Sequence, residues 1–339
     1  MHDYLIIGQG LAGSTLFHYL HREGADVAIA DRDHFQASSM VAAGLYNPVV
    51  FKRLNMSWRG MESYDEAIPF YRSVDERIIH EREYTKVFGN EHEAEVWQER
   101  HQREEFRTIL GYGDIPENSG IRKDEHGVGS VQGTGYLDIP QYLTITKEIA
   151  AEVGRYHHLD VDFETIQLED QSVLVGGIKA KTVVFAEGFA ALKNPYFQFL
   201  PLRHNQGEVL LIKAPELASE KVLSRGIFVL PLGNGLFRVG STYNWKSDRP
   251  ETTEKGLEFL TTQLERIISC PYEILEHKAG VRPTVKDRRP LCGRHPKHPQ
   301  LAIFNGLGTR GVLIAPLLAK EMTQHLIHGE PLHPEADLD

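Results

Sequence analysis

Cysteine is nearly absent. Two residues in 339, Cys270 and Cys292, make no disulfide framework and no metal-ligand spacing, and a reducing, cytoplasmic compartment is the simplest expectation. Long apolar runs are missing too: none approaches the roughly 20 residues that cross a bilayer, and the chain enters an apolar stretch at Tyr4 without the basic lead of a secretory signal. There is no run of Lys or Arg to offset a net charge of -10, which argues against nucleic acid or an anionic membrane as the main partner. The 17 histidines include no H-x-x-x-H with a third ligand, so no metal is expected. No G-x-S-x-G elbow is present, and neither are internal repeats. What remains is an ordinary globular composition, 41% hydrophobic and 25% charged, long enough for one large or two intertwined domains.

The N-terminus carries the first motif. Tyr4–Ile7 reads as a strand buried on both faces, followed by Gly8-Gln9-Gly10-Leu11-Ala12-Gly13 and then a helical pattern through Leu16, Tyr19 and Leu20. A second apolar strand, 27–30, stops at Asp31-Arg32. Gly8 permits a tight turn, Gly10 lets a pyrophosphate reach the backbone, and Gly13 lets the helix close on the sheet. The N–H groups at the helix start, from Leu11 and Ala12 onward, face the phosphates, and Asp31 can accept from a ribose. This is a dinucleotide-binding unit; by itself it does not separate NAD from FAD.

Three more segments bear on the cofactor. Ser38-Ser39-Met40-Val41-Ala42-Ala43-Gly44 offers small residues and hydroxyls for close approach of a planar ligand, or is merely a small-residue loop. Residues 181–185 form an apolar strand ending in Ala186-Glu187-Gly188. Residues 301–304 form another, leading to Gly306-Leu307-Gly308-Thr309-Arg310-Gly311-Val312 and a helix with Ile314, Leu317, Leu318, Met322 and Leu326 on one face and Pro316 near its first turn.

In this order the segments resemble the D-amino-acid-oxidase-type FAD oxidoreductases, glycine oxidases most of all. The most specific match is 279–296, A-G-x-R-P-x-x-x-D-x-x-P-x-x-G-x-x-P. The resemblance implies an α/β fold: a discontinuous Rossmann-like FAD-binding domain (1–50, 135–195 and 275–339) interleaved with an antiparallel-sheet substrate domain (51–134 and 196–274). It implies non-covalent FAD, with 306–312 beside the flavin's pyrimidine end, and Arg282 in a bidentate pair with a substrate carboxylate. The stretch 226–243 reads as a hairpin turning at Gly233-Asn234-Gly235. Phe228 stands where the family carries an active-site tyrosine, and Tyr243 could restore the lost hydroxyl. The expected reaction is hydride transfer from a small carboxylate-bearing amine to flavin N5, with dioxygen or another acceptor reoxidising the cofactor and a homo-oligomer possible. A 2-hydroxy acid, a carboxymethylaminomethyl group on a modified tRNA uridine, and an FAD-binding protein that turns nothing over stay open as alternatives.

Three readings complete the chain. Asn47, Lys52, Arg53 and Trp58 could recognise a second polar group on the substrate, or be solvated loop residues. Residues 62–106 read as a charged, solvated helical face. The acidic end, 334–339, reads as a frayed tail.

Overall fold

A strand without hydrophobic alternation must be covered on both sides, and the first strand, His2–Ile7, is. The computed structural model describes residues 1–33, 37–51, 53–123 and 125–338, so Lys52 lies outside the described residues. His2–Ile7 sits mid-sheet, parallel to Val27–Asp31 on one side and Ile178–Phe185 on the other. Tyr156–His158 extends the sheet beyond Val27–Asp31. His298–Asn305 runs parallel to Ile178–Phe185. The sheet is thus a parallel core with α-helices against one face, through Leu16, Tyr142 and Leu313, and the connections around Phe163, Tyr196 and Phe197 against the other.

The last helix, Gly311–His328, packs against the first, Leu11–Arg22, and against Gly60–Val74. It is not amphipathic: residues 311–319 are buried on every side. Its Pro316 lies in the second turn, one turn deeper than the sequence suggests, and removes the N–H that would meet the carbonyl of Val312. Tyr71, fully buried on the Gly60–Val74 helix, donates its hydroxyl to that carbonyl at 3.0 Å.

A second eight-stranded sheet runs in the order Glu273–Val285, Leu202–Lys213, Leu236–Gly240, Ile227–Gly233, Val222–Arg225, Tyr84–Val87, Val128–Val131, Leu110–Tyr112. Asn234 at φ 55° and Gly235 at φ 72° make the expected hairpin turn. Glu273–Val285 pairs with Leu202–Lys213 along its length, so residues 275–285 hydrogen-bond within this sheet.

Two expectations need correction. Residues 62–106 are not one solvated helical face. They include Ile79–Glu81 and Tyr84–Val87, the second wholly buried, because a short strand between charged helices loses its signal to its neighbours. The acidic end is docked rather than frayed: Cys292 donates its N–H to the Ala336 carbonyl, Leu332 and Ala336 are buried, and Glu335 accepts from Trp58 and Arg289. Both cysteines are free thiols. Among the described residues no helix is long and apolar enough to cross a membrane.

Tyr71→Phe leaves the Val312 carbonyl buried and unpaired, which costs about 1–3 kcal/mol. In a Pro316→Ala background the new N–H takes that carbonyl and the same change costs less than about half as much. Urea unfolding of the four proteins of this cycle is the measurement.

Candidate functional site

The glycine turn is built by close approach. Gly8 has φ 103°, and a Cβ on it would sit 2.6 Å from the Ala186 carbonyl oxygen; one on Gly13 would sit 1.9 Å from the Gly8 oxygen. Space in front of Gly10 is open, with only Ser39 Oγ nearby at 3.4 Å. The first N–H groups of a helix have no intrahelical partner. Here Leu11 N–H goes to Ser39 Oγ at 3.1 Å, and those of Ala12 and Gly13 are left to face a ligand. Asp31 closes the turn by accepting from the backbone of Gln9 at 2.8 Å and of Asp33 at 2.7 Å. Arg32 is exposed and pairs with Asp160 at 3.2 Å.

The other small-residue segments border this turn. Ser38–Val41 is a single helical turn continuing through Ala42 and buried Ala43 to Gly44, whose φ of 73° and closeness to the Leu137 carbonyl exclude any side chain. Arg238, on the second sheet, reaches across to the Ala42 carbonyl at 3.2 Å. Gly188 (φ 60°) is tied to the end of His298–Asn305 by Asn305 Nδ2, which donates to its carbonyl at 2.9 Å. Gly306 (φ 74°) and Gly308 (φ 60°) then turn the chain into the last helix. Thr309 is exposed, Gly311 packs on Leu11, and Val312 is buried.

Glu187 lies beside Gly8, in an environment the sequence does not reveal. Burial raises its carboxyl to about 7, although Asn194 Nδ2 donates to it at 2.8 Å and the charge of Arg32 acts on it.

Arg282 lies where the two sheets meet. The strand that carries it crosses the Ser38–Val41 turn at Gly280, where a Cβ would meet Val41 Cβ at 3.1 Å. Its guanidinium lies flat on the backbone of Gly207; a Cβ there would be 2.1 Å from Nη2. Nη1 donates to Asn205 Oδ1 at 2.9 Å and to the Thr242 carbonyl at 3.3 Å, and Nη2 to Ser241 Oγ at 2.8 Å. All of these partners are neutral. Burial lowers its pKa, yet a guanidinium keeps its charge. Asn205, Gly207 and Ser241 are unmarked in sequence, except that Asn205-Gln206-Gly207 is a polar step ahead of an apolar strand.

Tyr243 covers the cation, its ring centroid 4.9 Å from Arg282 Cζ, and is 60% exposed. The chain is fixed next to it, since Asn244 and Gln206 exchange backbone hydrogen bonds at 2.9 Å. Phe228 lies over Gly240, half-buried in a cluster with Phe51 and Tyr84. Tyr84 is a buried phenol within the electrostatic reach of Tyr243 and Arg310; burial raises its pKa. It lies in the strand that the charged pattern of 62–106 conceals. Arg310 donates to the carbonyls of Asn47 and Val49, the latter at 3.0 Å. Trp58 is occupied by Glu335, and Arg53 is exposed.

The family model for FAD dependent oxidoreductases (DAO) matches residues 3–325. The chain belongs to that family. It is 22% identical to the glycine oxidase of Bacillus subtilis over 97% of this chain and 96% of the relative. It is 23% identical to the tRNA 5-methylaminomethyl-2-thiouridine biosynthesis bifunctional protein MnmC of Marinobacter nauticus over 95% of this chain, and spans only 55% of that protein. The glycine oxidase structure from Geobacillus kaustophilus superposes with a TM-score of 0.83 at 19% identity, covering 97% and 95% of the two chains, a likeness of fold.

The protein is therefore an FAD-dependent oxidoreductase, and its residues fit the cofactor. The cradle at Gly10 and the free N–H groups of Ala12 and Gly13 suit the pyrophosphate; Asp31 and Glu187 border the turn at Gly8 and Gln9. Among the described residues no group of three or more His, Cys, Asp or Glu could hold a metal ion.

Two outcomes are expected. Gly207→Ala displaces the Arg282 guanidinium and raises the KM for a carboxylate substrate at least tenfold while FAD absorbance stays unchanged, as steady-state kinetics would record. For Glu187, a folded pKa of about 7 against an ordinary value of 4.5 means that its contribution to stability is present below pH 4.5 and lost as pH rises through 7. Glu187→Gln without FAD therefore gains on the order of 1–3 kcal/mol over the native chain at pH 8 and nothing near pH 4, read from denaturant midpoints.

Proposed function

We propose that this oxidoreductase oxidises a small amine bearing a carboxylate, an amino acid or secondary amine. FAD, held non-covalently by the residues above, would supply the two-electron acceptor for a hydride from the substrate carbon. The chain's own part is placement. Arg282 offers two parallel N–H groups to the carboxylate, already desolvated and held by Asn205 and Ser241, so binding requires little reorganisation. Tyr243 covers the clamp and excludes water from one side. Phe228 gives an apolar wall without a hydroxyl, while Tyr84, in the same cluster, offers one from two strands away. A tight carboxylate grip limits the bound poses of the adjacent carbon. The imine product leaves to hydrolyse, and dioxygen or another acceptor takes the electrons.

The single observation that carries this reading is Arg282: an enclosed guanidinium whose protein partners are all neutral, in a family that oxidises its substrates with FAD. The likeness to a tRNA-modifying relative supports a second reading, a carboxymethylaminomethyl group as substrate, which the net charge of -10 disfavours for a free-standing protein. Anaerobic mixing with a panel of amino acids and N-substituted amines should bleach the flavin of the native protein. Arg282→Ala should keep its yellow colour and lose at least a hundredfold in the reduction rate. Reduction by 2-hydroxy acids alone would sink the amine reading; a salt-sensitive tRNA shift would favour the second.

A further inference from the structure

Residues 205–208 of the strand Leu202–Lys213 act on Arg282 from two faces, because side chains alternate along a strand. Asn205 and Gly207 lie on the Arg282 side, the first accepting from Nη1 at 2.9 Å and the second seating the guanidinium. Gln206 and Glu208, both buried, fall on the opposite face and fasten the segment that follows the strand Leu236–Gly240. Gln206 Oε1 accepts from Asn244 Nδ2 at 3.0 Å, and Gln206 Nε2 donates to the Glu251 carbonyl. The Glu208 carboxylate accepts from Thr253 N–H at 3.0 Å and from Thr253 Oγ1 at 2.8 Å, with His277 Nε2 2.7 Å away. Thr253 caps the helix Glu254–Leu264, whose positive end favours that carboxylate.

The ladder between the two strands is interrupted by one residue. Val209 faces Gly240, and pairing resumes at Gln206 with Asn244, so two residues on one side oppose three on the other. Such a bulge re-aims the groups it carries. Its three residues all turn to Arg282: Ser241 through Oγ at 2.8 Å, Thr242 through its carbonyl at 3.3 Å, and Tyr243 through its ring. In a regular ladder a strand N–H is given to a carbonyl of the facing strand. Here the Glu208 N–H goes to Thr242 Oγ1 at 2.8 Å, while the Thr242 N–H meets the Glu208 carbonyl at 3.3 Å. The hydroxyl replaces the carbonyl as acceptor, and the carbonyl is left to the cation.

We propose that Thr242 is a positioning residue of the clamp: its hydroxyl occupies the Glu208 N–H, so that its carbonyl stays with Arg282 and fixes the guanidinium for a substrate carboxylate. This rests on the carboxylate reading of Arg282. Without the hydroxyl, the Glu208 N–H lacks an acceptor, and the one that Thr242 still has to offer is its carbonyl. Drawn to that N–H, the carbonyl is lost to Arg282, and the fork keeps two of its three hydrogen-bonding partners. Gln206 and Glu208 hold the segment in place, so the loss falls on the orientation of Arg282 and not on the fold.

The test is acetate binding to the FAD-loaded protein, read as perturbation of the flavin spectrum. Thr242→Val, which keeps the shape and lacks the hydroxyl, should bind acetate at least fivefold more weakly. Thr242→Ala, which differs from it in bulk, should lose as much. Thr242→Ser restores the acceptor and should stay within twofold of the native chain. A threonine that served packing alone gives the opposite ranking, since valine preserves the packing that serine gives up. Native affinity in Thr242→Val and Thr242→Ala, or a loss in Thr242→Ser equal to theirs, overturns the proposal while the carboxylate reading stands. That reading falls, and the proposal with it, if acetate leaves the native spectrum unchanged or binds Arg282→Ala as tightly as the native chain.

Discussion

The position of Arg282 depends on atoms that are missing from three backbones. Without side chains at Gly280 and Gly207, one strand can cross the Ser38–Val41 turn and the guanidinium can lie against the neighbouring strand. Without one at Gly13, the first helix can close on the carbonyl of Gly8. The approach at Gly280 brings the strand of Arg282 onto the turn beside the glycine cradle, and that at Gly207 seats the guanidinium within its own sheet.

Sequence marked two ends of the region by different means. A strand, a glycine turn and an acid point to a phosphate cradle within 31 residues by local physics, and the 279–296 pattern singles out Arg282 through its resemblance to the family. The middle was opaque for equally physical reasons. Tyr84–Val87 is one short strand among charged helices, and its burial comes from pairing with Val222–Arg225 and Val128–Val131, far along the chain. Asn205 and Ser241 become partners of Arg282 only through strand register, which no window of sequence contains. The docked tail shows the same limit: its acidity reads as solvated until Arg289 and Trp58 supply partners.

Electrostatically the molecule is divided. The chain as a whole is acidic, while Arg282 and Arg310 are held by neutral carbonyls, an amide and a hydroxyl. Such partners orient a cation without cancelling it, so the field stays available to an arriving anion. Low effective dielectric strengthens it further. The same enclosure acts in the opposite sense on Glu187, where burial favours the protonated acid beside the cradle.

The docked C-terminal segment has a bearing on order. By fastening Arg289 to Glu335 and the strand at Cys292 to Ala336, it ties down the turn that precedes that strand. The conformational entropy of that turn is thereby surrendered once, during folding. The last residues, remote from the glycine turn in sequence, thus serve as a brace.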